Sequence, residues 1–400
     1  MPPPESFPLE LAERCVKCGL CLPHCPTYVL AGVEGESPRG RIALMQGLAT
    51  GRLEAGPALA RHLESCLGCR ACEPVCPAGV PYGELIDAGR ALLRERGVQP
   101  PPAARLPGWL LLRPRLLRAT MRIARLPGVH ALARRLGGLP ARAMDLLPAG
   151  TRAPRSATSL PRGDGARGDV FLFAGCAGAA MDGRSLDDTR LVLQAAGWRV
   201  QMPTRQGCCG AIDLHAGRPD DARRLAARNL AAFPGDAPVV ACASGCAATL
   251  LEYARLAGDP GARFATRVRD PAELLADVPL ALGPGRYRRV VMHVPCTQRN
   301  VTRTATATRR LLARIPGLEI RELPAGCCGA AGEHFLSHPE TADALLAPLL
   351  RWLAEDPPDA VVTSNYGCAI HFAAGLRRAG VQVPVLHAAS VVASALESRP

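Results

Sequence analysis

Eight of the 17 cysteines lie in the first 76 residues, in two copies of the spacing Cys-x2-Cys-x2-Cys-x3-Cys-Pro. In bacterial proteins with two 4Fe-4S clusters, three closely spaced thiolates of such a run bind one cluster and the fourth binds the other. Zinc sites also use Cys-x2-Cys pairs, but two complete copies, each followed by proline, favour iron-sulfur clusters. The spacing predicts Cys15, Cys18, Cys21 and Cys76 as ligands of a first cluster, and Cys66, Cys69, Cys72 and Cys25 as ligands of a second.

The other nine cysteines belong to an internal repeat, whose corresponding cysteines are 119 to 122 residues apart. Each copy has an apolar run ending in Cys, then Cys-Cys-Gly-Ala, then another apolar run ending in Cys. Ser364 of the second copy replaces Cys242 of the first. Each set is a candidate for a further iron-sulfur centre or a zinc site, and inert buried thiols are the alternative. The candidates are Cys176, Cys208, Cys209, Cys242 and Cys246 in the first copy, and Cys296, Cys327, Cys328 and Cys368 in the second.

The elements that position these cysteines differ between the two parts of the chain. Between the N-terminal motifs, Ser37 can cap a helix that has Pro38 at its first position, and a second helical pattern begins at Pro57. These helices predict an α-helical ferredoxin-like module in residues 1–98. Each later copy alternates short apolar runs with helical patterns, which predicts an α/β unit with a parallel sheet.

The expected fold is therefore multidomain: an N-terminal α-helical ferredoxin-like module, then two α/β cysteine-rich repeats, here called the CCG repeats, with short parallel sheets. The repeats are assigned to residues 169–280 and 281–400. Because ligands of parallel sheets gather at the carboxyl ends of the strands, we expect the cysteines of each repeat to converge there.

Arg39 and Arg41 lie at the start of a predicted helix, where positive charge opposes the helix dipole. One hypothesis is that both side chains face the clusters, because a 4Fe-4S core with four thiolates is anionic. The alternative is that both arginines are solvated.

The net charge of +13 is concentrated in one segment. Residues 90–167 contain 16 Arg and three acidic residues, so the rest of the chain is neutral overall. Residues 99–168 interleave Arg with Leu between prolines and predict amphipathic helices. This segment is a packed connector, a docking surface for a partner, or a peripheral contact with anionic lipid. Nucleic acid is not expected as a partner, because no recognition motif accompanies the charge.

The N-terminus lacks the features of a signal peptide, and no apolar run is long enough for a transmembrane helix. A cytoplasmic location is therefore expected, with peripheral attachment to the inner membrane as a variant of it. Cytoplasmic cysteines are rarely paired as disulfides, which again favours metal binding or redox chemistry.

Several segments together resemble one family. The start RCVKCGLCLPHCPTY, the segment SPRGRI, the run CLGCRACEPVCPAGVPYGELID and the ending TSNYGCAIH are similar to the iron-sulfur subunit of bacterial glycolate oxidase. The resemblance covers both ends of the chain and leaves out mainly residues 99–168. In the second CCG repeat, HVPC replaces the HDPC usual in such repeats. The acidic residue that could orient His293 is therefore missing.

The resemblance implies a subunit that is not active alone. Flavoprotein partner subunits would oxidise glycolate to glyoxylate by hydride transfer to FAD, and this chain would pass electrons to a quinone or another acceptor. The chain itself shows no flavin or substrate motif.

The alternatives are a subunit of a lactate- or glycerol-3-phosphate-oxidising system, and a heterodisulfide-reductase-like protein with a catalytic CCG site. A zinc-stabilised scaffold protein is a more distant alternative.

Overall fold

A computed structural model describes residues 7–100, 102–147 and 164–397. It confirms the expected fold class, because a helical N-terminal module is followed by two units that are each built on a four-stranded parallel sheet. The helices of the module are α1 (Leu9–Glu13), α2 (Pro26–Ala31), α3 (Pro38–Ala49), α4 (Pro57–Glu64) and α5 (Tyr82–Glu95).

Helix α3 begins where the sequence predicts. Ser37 accepts a hydrogen bond from Gly40 N, and Pro38 occupies the first turn, where its missing N–H leaves no donor unpaired. Helices α3, α4 and α5 bury Met45, Leu63 and Leu85 in one apolar core. The cysteine motifs lie in the loops that this core holds in place.

Four helices connect the module to the first repeat: α6 (Pro102–Leu111), α7 (Pro114–Ala124), α8 (Pro127–Leu136) and α9 (Gly138–Asp145). Helix α9 is packed firmly, because the buried Arg142 donates two 2.9 Å hydrogen bonds to Asp343 and another to Phe335 O. Other parts of the segment are open to solvent. Its large apolar side chains that are exposed include Leu106, Trp109, Leu112, Leu116, Ile123, Leu126, Val129, Leu132 and Leu136.

The first CCG repeat has the strand order β2-β1-β3-β4, with all neighbours parallel. Its strands are β1 (Asp169–Phe173), β2 (Arg199–Gln201), β3 (Val239–Ala241) and β4 (Val268–Arg269). Its helices are α10 (Gly175–Met181), α11 (Gly183–Ala195), α12 (Ala211–His215), α13 (Pro219–Ala232), α14 (Ser244–Leu251), α15 (Ala254–Ala265) and α16 (Pro271–Leu275).

The second repeat has the equivalent order β6-β5-β7-β8, again parallel. Its strands are β5 (Arg289–Met292), β6 (Glu319–Glu322), β7 (Ala360–Val362) and β8 (Val385–Leu386). Its helices are α17 (Ala305–Ala313), α18 (His334–Ser337), α19 (Pro339–Glu355), α20 (Tyr366–Arg378) and α21 (Ala388–Ala393), and a π-helical turn spans Gln298–Thr302.

The two repeats share one apolar core. Val170 and Leu172 of β1 belong to the same buried cluster as Val290 and Met292 of β5. The alternate residues of each strand face outward into a separate core, as the pleat requires. The two sheets are therefore parts of one layered body.

The repeats also exchange side chains across their boundary. Tyr366 of the second repeat lies so close to Gly178 of the first that a Cβ atom there would be 2.7 Å from the tyrosine oxygen. In the opposite direction, Ser244 Oγ is 2.8 Å from Thr297 Oγ1, and Ser244 N donates to Ser364 O at 2.7 Å. Each repeat thus completes part of the other.

The ferredoxin-like module is docked onto the first repeat through α5. Arg90 Nη1 donates to His215 O at 3.0 Å, and Asp87 Oδ1 is 2.8 Å from His215 Nδ1. Gly217 follows with a left-handed φ of +76°, and a Cβ atom there would lie 2.5 Å from Arg90 O. Only glycine allows both this backbone conformation and this close approach.

Replacement of Gly217 by alanine is expected to weaken the docking. The left-handed backbone costs about 1 kcal/mol, and displacement of α5 adds about 2 kcal/mol more. Gly235→Ala is the matched control, since Gly235 has a φ of +68° but no atom within 4 Å of the added Cβ. Denaturation midpoints of the anaerobic holoproteins measure the difference. Equal losses in the two variants would contradict the docking role of Gly217.

Candidate metal centres

The first predicted cluster site is a cavity beside α3. Its lining includes all four predicted ligands together with the side chain of Arg39: Cys15, Cys18, Cys21, Cys76 and Arg39. The loop turns tightly, because Lys17 and Gly19 have left-handed φ values of 58° and 86°. Gly68 and Arg70, at the same positions of the second motif, have φ values of 59° and 57°. The two motifs therefore share one loop conformation.

The second predicted site joins Cys25 to the second motif. Burial raises the pKa of the Cys72 thiol far above its usual range, and the neighbouring thiolates of Cys69, Cys66 and Cys25 raise it further. Tyr82 Oη donates to Cys66 Sγ at 3.6 Å. Buried thiols of this kind ionise only beside a compensating positive charge, which a bound metal centre supplies.

The two arginines of α3 lie beside different sites. Arg41 is fully buried, and its Nη1 is 3.9 Å from Cys25 Sγ. Its Nη2 donates to Glu36 Oε2 at 2.5 Å, so the positive charge is held in place. Arg39 donates to Lys17 O at 2.9 Å in the first motif while pairing with Glu34. Both arginines therefore face the cysteine sites, as the electrostatic hypothesis expects.

In the first CCG repeat, four cysteines converge at the carboxyl ends of the central strands. Cys176 follows β1, Cys246 follows β3, and Cys208 and Cys209 precede α12. Cys176 Sγ is 3.4 Å from Cys208 Sγ, and the charges of Cys246 and Cys176 act on Cys209. The strand order reverses between β1 and β3, which is where parallel sheets place ligands.

Cys242 is directed elsewhere. It packs in the core shared by the two repeats, whereas the neighbouring Ala241 packs in the outer core of the first repeat. Its Sγ donates to Thr189 Oγ1 at 3.3 Å. The sequence predicts a set of five thiols in this repeat. The structure brings four of them together on one side of the sheet and places Cys242 on the other.

In the second repeat, Cys328 Sγ and Cys368 Sγ are 2.8 Å apart. Burial raises the pKa of Cys296 to about 12, and it raises the pKa of Cys327, on which the charge of Cys296 also acts. The backbone of this site is braced by His371, whose Nδ1 is 2.6 Å from Cys328 O. The four candidate thiols of this repeat are thus brought together.

His293 joins this site, although the sequence analysis did not propose it as a ligand. Within the described ranges, one group of His, Cys, Asp or Glu side chains places three ligand atoms within 4.8 Å of one another, and its members are His293, Cys328 and Cys368. Burial lowers the pKa of His293 to about 3, so the ring is neutral. Alignment of the two repeats could have identified this residue, because His293 occupies the position of Phe173 in the first repeat.

Comparisons with known proteins agree with this arrangement. Residues 11–80 match the model of the 4Fe-4S dicluster domain, and residues 170–251 and 290–373 match that of the cysteine-rich domain. The probable glycolate oxidase iron-sulfur subunit of Bacillus subtilis is 31% identical over 415 residues, which cover 96% of this chain and 93% of the relative. The chain belongs to the glycolate oxidase iron-sulfur subunit family.

Other relatives support this membership. The glycolate oxidase iron-sulfur subunit of Escherichia coli is 31% identical over 97% of this chain and 95% of its own length. Lactate utilization protein A of Oceanobacillus iheyensis is 26% identical over 56% of this chain and 96% of its own length. The family resemblance expected from the motifs is confirmed, and iron-sulfur binding within an oxidoreductase follows from it.

In this family member, the ferredoxin-like module meets the second CCG repeat at the cysteine sites. Asn300 Nδ2 donates to Cys69 O at 2.8 Å. The charge of Cys296 acts on Cys69, and that of Cys69 acts on Cys327. The sequence motifs give no sign of this contact, because it joins residues more than 220 positions apart.

No helix in the described part of this family member combines the length and apolar character needed to cross a bilayer.

Replacement of Arg41 by glutamine tests its electrostatic role. Loss of the buried positive charge beside Cys25 is expected to lower the reduction potential of the centre held there by on the order of 100 mV. Arg39→Gln is the control, and its effect is expected to be smaller because Arg39 is half-buried and paired with the exposed Glu34. Potentiometric titration followed by EPR measures both shifts. An unchanged potential in Arg41→Gln would exclude the role.

Proposed function

We propose that this chain is the electron-transfer subunit of a complex that oxidises glycolate to glyoxylate. A flavoprotein partner holds FAD and removes the hydride, and this chain conducts the electrons to a quinone or another acceptor. The single observation that supports conduction is the contact of Cys69 with the Cys296 site, which places cysteine sites of two domains side by side. The assignment to glycolate rests on the names of the relatives that match nearly the whole chain.

We assign two 4Fe-4S clusters to the N-terminal module, with the ligand sets that the motif spacing predicts. Such clusters supply one-electron transfer when bound. The chain's own residues provide anionic ligands, hold Arg41 beside Cys25 and exclude water from Cys72. The grouped thiols of each CCG repeat are assigned to a further iron-sulfur centre, since four buried or half-buried thiols converge in each repeat of an iron-sulfur protein.

The first cluster site is proposed as the docking site of the flavoprotein partner. Cys18 is exposed, whereas Cys25 and Cys72 are buried. The side chains of Val16 and Leu20 on the same loop are 70% and 55% exposed. Apolar side chains around an exposed cluster ligand suit a protein interface that brings a flavin within electron-transfer distance.

The connecting helices are proposed as the contact with an anionic membrane surface. Ile123 and Leu136 are exposed on helices α7 and α8, which also carry several arginines, and Trp109 is exposed on the neighbouring α6. Apolar side chains can enter the headgroup region while arginines bind lipid phosphates. This contact would bring the complex to a membrane quinone.

Glycolate is expected to reduce the iron-sulfur centres of the complex purified anaerobically from the native host. EPR spectra recorded after addition of glycolate, D-lactate or glycerol-3-phosphate identify the substrate. Iron and sulfide analysis should give about eight irons for the N-terminal module, with more from the CCG repeats. Reduction by lactate or glycerol-3-phosphate alone would replace the assignment to glycolate, and zinc without sulfide would exclude electron transfer.

A reciprocal pair of variants separates the two surfaces. Leu20→Glu is expected to slow reduction by the flavoprotein at least about tenfold, because it places a charge in the proposed interface, and to leave liposome binding unchanged. Leu136→Glu should weaken sedimentation with anionic liposomes at low salt and leave reduction unchanged. Stopped-flow absorption and liposome sedimentation measure the two effects. Parallel effects of both variants would contradict the assignment of separate surfaces.

A further inference from the structure

His293 is held rigidly with one ring nitrogen left free. The residue directly follows β5 and is 3% exposed. Its Nδ1 is 3.0 Å from Thr363 Oγ1, and its ring packs edge-on against Phe372 with a centroid distance of 4.8 Å. Nε2 is buried and has no hydrogen-bond partner in the described part of the chain. A buried polar atom without a partner costs about 1–3 kcal/mol, so the arrangement favours a ligand for Nε2.

His293 belongs to a group of side chains with metal-ligand spacing. A ring nitrogen of His293 and the sulfurs of Cys328 and Cys368 lie within 4.8 Å of one another. Donor atoms around one tetrahedral ion with usual nitrogen and sulfur bond lengths are about 3.5 to 3.8 Å apart. The three donor atoms are therefore close enough to serve one metal centre after small side-chain adjustments, with at most two of them on any one iron of a cluster.

The first repeat has no such nitrogen. Phe173 occupies the equivalent place, and its ring packs against Phe233 at 5.9 Å and beside Gly175 near Cys246. A phenyl ring offers no ligand atom, so the first site contains thiols alone. The two repeats share strand order and cysteine pattern but differ in the donors that they supply.

We propose that His293 Nε2 is a ligand of the metal centre in the second CCG repeat, together with the thiolates of Cys328 and Cys368. The second repeat then holds a mixed imidazole–thiolate iron-sulfur centre, and the first holds an all-thiolate centre. This inference rests on the proposed function, which assigns an iron-sulfur centre to each repeat.

Thr363 is a positioning residue in this arrangement. In the proposed centre, the Nδ1–H group of His293 donates to Thr363 Oγ1, 3.0 Å away. This hydrogen bond selects the tautomer with a free lone pair on Nε2 and fixes the orientation of the ring. The hydroxyl of Thr363 thus supplies the orientation that the missing acid of the HVPC segment does not.

The difference between the donors gives the two centres different potentials. In the proposed centre, the neutral imidazole of His293 takes a coordination position that an anionic thiolate fills in the first centre. The second centre is then less negative and accepts an electron more readily. This centre is also the one beside Cys69 of the ferredoxin-like module. The more oxidising centre therefore lies directly next to the module.

The test uses the full-length holoprotein labelled with 15N-histidine and reduced stepwise with dithionite. Pulsed EPR is expected to show a nitrogen coupling on the centre of the second repeat, at a higher potential than that of the first. His293→Gln should abolish the coupling, and Phe173→His should introduce one on the first centre. Thr363→Val should keep the coupling but increase loss of iron to a chelator about tenfold.

Two outcomes overturn the proposal: a coupling that persists in His293→Gln, and a zinc ion in the second repeat in place of iron. Thr363→Val and Phe173→His keep the test decisive if His293→Gln does not fold. Because dithionite is the reductant, the result is independent of the substrate. A histidine coupling in a complex that glycolate does not reduce would refute the assignment to glycolate and leave His293 as a ligand.

Discussion

Burial of thiols is the constraint on which the rest of this structure depends. Of the 17 cysteines, Cys18 alone is exposed, and the other 16 are buried or half-buried. An ionised thiol removed from water is costly unless a positive charge lies beside it. A metal centre bound at such a site and the folded chain would therefore stabilise each other, and the proposed function gives one such linked equilibrium at each cysteine site. Arg41, held by Glu36, is the clearest case in which the chain adds a cation of its own.

The two sheets can be short because they do not have to be stable alone. Strands of two to five residues present little apolar surface, but one shared core joins the inner faces of both sheets. In each sheet, the strand order reverses between the two central strands, and the cysteines lie at the carboxyl ends of these strands. The loops that carry the cysteines are therefore anchored in the buried central strands. The positions of the sulfurs are then set by the rigid part of the molecule. Small reorganisation of this kind favours rapid electron transfer.

Local patterns made much of the architecture predictable from the sequence. Motif spacing gave the ferredoxin-like module, the Ser37–Pro38 pair gave the start of α3, and the repeat gave two equivalent parallel sheets. Contacts between distant segments were not predictable. The bond from Asn300 to Cys69 and the docking of Arg90 on His215 depend on how whole domains pack. The separation of Cys242 from its neighbours follows from the alternation of side chains at the end of β3, which spacing alone does not reveal.

The exchange of Tyr366 and Ser244 between the repeats has a consequence for biosynthesis. Tyr366 closes the first repeat against Gly178, yet the ribosome adds it nearly 190 residues later. Tyr366 is also close enough to Cys176 and Cys246 for their charges to act on it. The first repeat therefore emerges with this side of its thiol site uncovered until most of the second repeat has been translated. The iron-sulfur centre proposed for that site can be inserted before Tyr366 is in place. The order of synthesis thus leaves the thiols of the first repeat accessible for a time, and folding of the second repeat ends that access.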